Sequence, residues 1–235
     1  MRFPGPTRSP VPLPEIIAHR GASRERPENT LQAFERAADL GAGAVELDVH
    51  ATSDGQLVVH HDPTLPGRFP RRAIRSLTLA DVREFRIEGA AIPTLEDVIA
   101  TVGGRLRIYC ELKGGGTVGL AVAALAPLGD RAAVHSFDHR MVAEAARIAP
   151  ALARGVLETS YHRDPCFPMR DVGARDLWQH DALVDAALVA GVHAEGGRVI
   201  AWTVNDPERA RALAAMGVDG LCTDDVATMR RVTGA

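Results

Sequence analysis

Apolar residues in this chain follow two rhythms. Eight short strand-like runs, at 16–19, 44–49, 106–112, 132–137, 154–157, 175–179, 199–204 and 220–223, carry apolar residues on adjacent positions. That is the pattern of strands buried on both faces. Most lead into Ala- and Leu-rich stretches whose apolar residues lie three and four apart, the spacing of a helix. The first such stretch carries Leu31, Phe34, Ala37, Ala38 and Leu40 and ends at Gly41. Asn29, with Gln32 three positions on, is positioned to cap its start.

Eight strands interleaved with helices predict a (β/α)8 TIM barrel, with a doubly wound open sheet as the rival. The polar positions separate the two. His19, Asp48, Glu111, Phe137 and Trp202 fall at five different strand ends, and a barrel gathers all five on one rim. The fifth repeat is the weakest, because 159–174 contains Pro165 and Pro168 and little helical periodicity. An irregular excursion is expected there.

After the second strand the alternation breaks. Ala51-Thr52-Ser53-Asp54-Gly55-Gln56 carries an Asp-Gly pair and runs straight into another β stretch, 57–59. This predicts a short β-hairpin opening a small insertion over about 50–92, set above the barrel. With Asp54-Gly55 as a two-residue turn, His61 falls opposite Asp48; with a three-residue turn and a bulge, His60 does. Spacing leaves both open. His50 and His60 are otherwise expected as solvated hairpin residues.

Composition narrows the class. At 235 residues and 46% hydrophobic, the chain suits one large domain, 1–235. A formal charge of -3 supplies no cationic field, which argues against nucleic acid or stable membrane association and for a small-molecule ligand. Cys110, Cys166 and Cys222 are odd in number and lack C-x-x-C spacing. They read as reduced packing residues of a cytoplasmic protein. Residues 1–14 form a proline-rich extended arm unlike a signal peptide, and no run is long enough to span a membrane.

Taken together, His19-Arg20-Gly21, Pro27-Glu28-Asn29-Thr30, Glu46-x-Asp48, Thr52-x-Asp54-Gly55, Val58-Val59-x-His61-Asp62, Glu111-Leu112-Lys113, Ser136-Phe137-Asp138 and Trp202-Thr203-Val204-Asn205 resemble the glycerophosphodiester phosphodiesterases. The resemblance runs in order from His19 to about Asp225. It implies a barrel with a metal site, hydrolysis of glycerophosphodiesters to glycerol 3-phosphate and an alcohol, and His19 with His61 as the catalytic pair, so it selects His61 over His60. It further implies that a glycerol hydroxyl is the first nucleophile. One segment departs from the family pattern: 65–72 is short where members often carry a longer polar stretch.

The residues support these roles on their own chemistry. Glu46 and Asp48, two apart on a strand, share a face, and Glu111 can join them from the next barrel strand. Three oxygen ligands without a nearby cysteine suit Mg²⁺ or Ca²⁺ better than Zn²⁺; otherwise these carboxylates serve as ion-pair partners of Arg20 and Lys113. Histidine titrates where a proton must be taken from one hydroxyl and given to another; His19 is assigned as base and His61 as acid, a choice the sequence itself leaves open. Lys113 is the only lysine among 27 Lys and Arg residues. With Arg20 it is suited to phosphate oxygens, although Arg20 could instead pair with Glu28. Trp202 is either rim packing or a wall for the glycerol. Gly114-Gly115-Gly116 reads as a flexible loop, and His135-Ser136-x-Asp138 cannot form a triad from neighbouring strand positions. Two other functions stay open: cleavage of lysophospholipid or sphingolipid head groups, and a non-catalytic metal- or phosphodiester-binding barrel.

Overall fold

A computed structural model describes residues 12–65 and 72–235. All but the last three residues of the proline-rich arm, and most of the departing segment 65–72, lie outside these. Eight parallel strands form the barrel: β1 (Glu15–His19), β2 (Ala44–Ala51), β3 (Arg107–Leu112), β4 (Ala132–Ser136), β5 (Ala153–Glu158), β6 (Asp176–His180), β7 (Arg198–Trp202) and β8 (Gly220–Thr223). β1 pairs with β8 on one side and β2 on the other, which closes the sheet. Helices α1 (Leu31–Asp39), α2 (Leu95–Val102), α3 (Thr117–Leu125), α4 (His139–Ile148), α5 (Phe167–Val172), α6 (Ala186–Ala194), α7 (Pro207–Met216) and α8 (Val226–Thr233) follow the strands in turn. The eight strand runs read from sequence fall within two residues of those observed. In the fifth repeat, 159–166 is irregular and α5 has only six residues.

The strands are apolar on consecutive positions because each feeds two cores. Outward residues such as Val45, Leu47, Ile108, Cys110 and Val134 pack beneath the helices. Inward residues, among them Ile17, Tyr109, Leu157, Trp178 and Ile200, fill the barrel itself. Each such side chain contributes about 1.5–3 kcal/mol when fully buried. Trp178 can lie across the interior only because position 155 is glycine: a Cβ there would meet the indole at 2.7 Å. Below it, at the N-terminal end of the strands, Tyr109 donates to Glu15 at 2.8 Å. Arg198 donates to the Tyr109 hydroxyl at 3.0 Å and to Glu15 at 3.1 Å. The N-terminal end of the barrel is therefore floored with paired charges.

Two local expectations need correction. Thr30, not Asn29, caps α1, accepting from the Ala33 backbone at 3.2 Å. Asn29 instead takes φ 57° and is buried. The hairpin has a three-residue turn, since Thr52 pairs with Gln56 and Gly55 takes φ 76°. Val49 therefore faces Val59, and His60, not His61, lies opposite Asp48. The rest of the insertion folds over Val58, Leu65, Ile74, Leu77, Val82 and Ile92, a small core of its own.

Candidate active site

Register builds the site. In parallel strands, paired residues point the same way, so the matches Asp48 with Glu111 and Glu111 with His135 set three inward side chains in one row across β2, β3 and β4. One layer lower, His19 at the end of β1 matches Glu46. Donor atoms of Glu46, Glu111 and His135 come within 4.8 Å of one another. His135 lies 3.6 Å from Glu46 and stacks on Trp178, with ring centroids 4.2 Å apart.

The carboxylates are buried and unequal. Asp48 Oδ2 accepts from Asn29 at 2.8 Å and faces the Arg20 guanidinium at 3.2 Å, while Oδ1 lies 3.2 Å from the Lys113 ammonium. Burial opposes its charge, but Lys113 and then Arg20 prevail and hold Asp48 well below the usual carboxylate range. Glu111 fares the opposite way. Burial, followed by the charge of Asp48, pushes it above that range despite Lys113 at 3.2 Å. So crowded a group of acids suits a divalent cation, whose charge would let Glu111 ionise.

Arg20 makes the Glu28 pairing that the sequence offered as the alternative. Its Nη1 donates to both oxygens of Glu28 at 3.0 Å, and its backbone N–H donates to Glu46 at 3.2 Å. To do so it takes φ 56°, a conformation that costs a non-glycine residue about 1–2 kcal/mol. The next residue, Gly21, has φ 84°, and a Cβ there would strike Ala33 at 2.7 Å.

Each of the two expected catalytic imidazoles has a carboxylate at Nδ1. His19 Nδ1 lies 2.7 Å from Asp224 Oδ1, and His61 Nδ1 lies 2.9 Å from Asp62 Oδ1. A carboxylate only accepts, so Nδ1 carries the hydrogen in both and Nε2 is left to exchange protons. Asp224 is fixed by Ser23 at 3.0 Å and Asn205 at 2.6 Å. Burial works against the charge on both members of this pair. The hydrogen bond nevertheless raises His19 above its ordinary value and draws Asp224 down to about 2. His50 is not solvated: it is buried, its Nε2 lies 3.1 Å from the His61 carbonyl, and burial depresses its pKa. His60 is half-buried and likewise depressed by burial.

A cavity of about 90 Å³ joins His19, Arg20, Glu46, His61, Glu111 and Lys113 on its polar side to Phe137 and Trp202 on its apolar side. Those two rings meet edge to face at 5.4 Å, and Trp202 donates to the Trp178 carbonyl at 3.0 Å. Asp48 lies just behind Lys113. Every residue expected at the site thus comes to the same rim. Sequence reasoning missed His135, Asp224, Asn205 and the second duty of Asn29. All but Asn29 sit at or just beyond a barrel strand's end, where the other site residues were found.

Residues 19–228 match the glycerophosphoryl diester phosphodiesterase family. A glycerophosphodiester phosphodiesterase of Caldanaerobacter subterraneus is 31% identical, over 91% of this chain and 95% of the relative. The chain belongs to the glycerophosphoryl diester phosphodiesterase family. It is an enzyme, a phosphoric diester hydrolase of that type. A probable glycerophosphodiester phosphodiesterase of Mycobacterium tuberculosis is 32% identical, covering 92% of this chain and 89% of its own. An Oleispira antarctica phosphodiesterase, solved with its product sn-glycerol-3-phosphate, superposes with a TM-score of 0.85. It is 26% identical and covers 95% of this chain and 98% of its own. No helix among the described residues is long and apolar enough to cross a membrane.

Proposed function

We infer that the chain hydrolyses small glycerophosphodiesters to glycerol 3-phosphate and an alcohol, with a divalent cation and two histidines, as one catalytic domain spanning residues 1–235. The observation that carries this reading is the pair of carboxylate-oriented imidazoles flanking one cavity with buried acids on its wall. The family match and the glycerol 3-phosphate bound by the Oleispira protein support it. Glu46, Asp48 and Glu111 would hold Mg²⁺ or Ca²⁺, with His135 as a further donor. Bound there, the cation supplies Lewis-acid polarisation of a phosphoryl oxygen and of the attacking hydroxyl. Three buried thiols, none in a disulfide, fit the reducing cytoplasm where we place the enzyme.

The protein's own groups then divide the proton transfers. The phosphate lies between Lys113 and Arg20, where their charges meet its oxygens as negative charge builds. His19 Nε2 takes the proton of the glycerol hydroxyl adjacent to the phosphate ester. That oxygen bonds to phosphorus, the bond from phosphorus to the departing alcohol breaks, and His61 Nε2 gives the leaving oxygen its proton. In the return step His61 takes a proton from water, the new hydroxyl opens the cyclic ester, and His19 returns its proton to the glycerol oxygen. Phe137 and Trp202 wall the glycerol carbons.

The test is a panel of glycerophosphodiesters in which glycerol 3-phosphate release is measured after metal removal and after Mg²⁺, Mn²⁺ or Ca²⁺ is restored. Turnover that needs the cation and yields glycerol 3-phosphate supports the reading. Release of acylglycerol phosphate from lysophospholipid alone would move it to the lipid substrates.

A further inference from the structure

A second cavity, of about 580 Å³, adjoins the first and shares His61 and Lys113 with it. Its size relative to the 90 Å³ cavity orients the diester. The smaller space suits a three-carbon triol, and the larger one suits the variable alcohol. His61 stands at the junction, which is where the proton donor to that alcohol belongs. This step rests on the phosphodiesterase reading above.

The charge of the larger cavity then bears on which alcohol it accepts. Among the described residues lining it, Asp62 is the only acid, and it holds His61. No Phe, Tyr or Trp is among the described residues lining it, so these supply none of the aromatic faces that bind quaternary ammonium groups. Lys113 also lines it, but its ammonium already faces Asp48 and Glu111, and its remaining donor is given to the phosphate in the reading above. Arg75 is different. It lines the cavity yet has no ion pair or hydrogen bond among the described residues, and it is exposed. It sits in the single helical turn Ile74–Ser76, whose Ile74 is fully buried in the insertion's own core. A guanidinium carried on an anchored turn, without a partner among the described residues, has its donors available to an anion. Across the cavity Gly114 and Gly115 offer backbone only, and a Cβ at either would meet nothing within 4 Å. That wall keeps space for the bound group.

We propose that this cavity seats the departing alcohol and that Arg75 selects glycerophosphodiesters whose alcohol carries a carboxylate or phosphate over those carrying a quaternary ammonium. The probe is a set of three diesters with glycerate, glycerol and choline as the departing alcohol, the first two differing only in a carboxylate. kcat/KM should be about tenfold higher for the glycerate diester than for the glycerol diester, and lowest for choline. The preference should shrink as salt is raised, because the site is open to solvent. Arg75→Gln should bring the glycerate-to-glycerol ratio close to one, and Arg75→Glu should favour choline. Gly115 is not among the positive-φ glycines, and a Cβ there meets nothing within 4 Å; Gly115→Val should lower the ratio of bulky to small alcohols. Binding of the same diesters to the His19→Ala protein, measured by calorimetry, reads the preference without turnover. Equal affinities for the three, or a glycerate preference that survives Arg75→Gln, overturn the proposal. A glycerate preference in binding with no hydrolysis of any diester by the unaltered enzyme overturns the catalytic reading and leaves the proposal supported.

Discussion

Asp224→Asn keeps the side chain's shape while removing its charge and one acceptor, and Asn205 decides how the new amide must sit. Asn205 Oδ1 accepts from the Thr223 hydroxyl at 3.1 Å and from the backbone N–H of Asp224 at 3.0 Å. Its Nδ2 therefore faces the Oδ2 position, at 2.6 Å, as a donor. The new amide keeps its oxygen there and turns its NH₂ toward His19 Nδ1. A donor in that place forces the hydrogen of the neutral imidazole onto Nε2, the atom that must accept a proton. The expected cost is about 10²–10⁴ in kcat, the range for losing a general base or its correct tautomer. KM should change little, because Asp224 faces His19 and not the cavity.

Stability gives a second readout with a definite sign. Asp224 falls from an ordinary 3.8 to about 2 on folding, so it stabilises the fold above pH 3.8 and that contribution is lost as pH falls through about 2. The full shift corresponds to about 2 kcal/mol. The carboxylate is one third exposed, so about 1 kcal/mol is the better expectation. The variant should be that much weaker in urea unfolding at pH 7 and should converge with the parent in strong acid. With the hydrogen bond that raises His19 gone, the acid limb of kcat/KM should move to lower pH. A variant that keeps kcat within threefold and leaves the acid limb in place would refute both the pairing and the role of His19 as base.

Other expectations follow from the same geometry. His19→Ala and His61→Ala should each lower kcat by about 10²–10⁴, the double variant should cost less than the product of the two, and His60→Ala should do little; an essential His60 would reverse the choice made between the neighbouring histidines. Chelation should abolish turnover, and Glu46→Gln or Asp48→Asn should raise the cation requirement; full activity in excess chelator would end the metal assignment. Because Glu111 is raised in the folded state, thermal melts of the metal-free enzyme should show stability falling as pH rises above 4.5, and Glu111→Gln should flatten that slope. A substrate lacking the glycerol hydroxyl next to the phosphate should lose turnover far more than binding, and a cyclic glycerol phosphate should accumulate briefly in rapid quench. Equal turnover by the deoxy analogue would favour direct attack by water.

The barrel was legible because its strands are buried on both faces, which puts apolar residues on adjacent positions in short runs that alternate with stretches of helical spacing. His19, Glu46, Asp48 and Glu111 were legible because each ends or interrupts such a run with a group that a buried strand would otherwise exclude. What the sequence hid depends on pairing between distant strands. His135 looked like half of a false triad with Ser136 until the match of Glu111 with His135 turned it into the barrel, while Ser136 turned away to the Leu112 carbonyl. Asp224 was one of two adjacent aspartates, and only the closure of β8 on β1 shows which one meets His19. The hairpin slip was local: Asp54-Gly55 can serve a two- or a three-residue turn, and one residue of register exchanges His60 for His61.

Closure at β1 and β8 has a consequence in time as well as in space. His19 and Asp224 are 205 positions apart, whereas Glu46, Glu111 and His135 all precede the middle of β5. A chain leaving the ribosome carries every expected cation ligand long before it can orient its base. Arg24, Ser23 and Asp224 lie at the same seam, where the Arg24 backbone donates to the Asp224 carbonyl at 3.2 Å. In an emerging or locally opened barrel the proposed cation ligands would be present without an oriented base, and hydrolysis would begin only when the final strand is laid in. Cation binding and turnover, followed side by side during refolding, would record the first half of assembly and its last event as two separate signals.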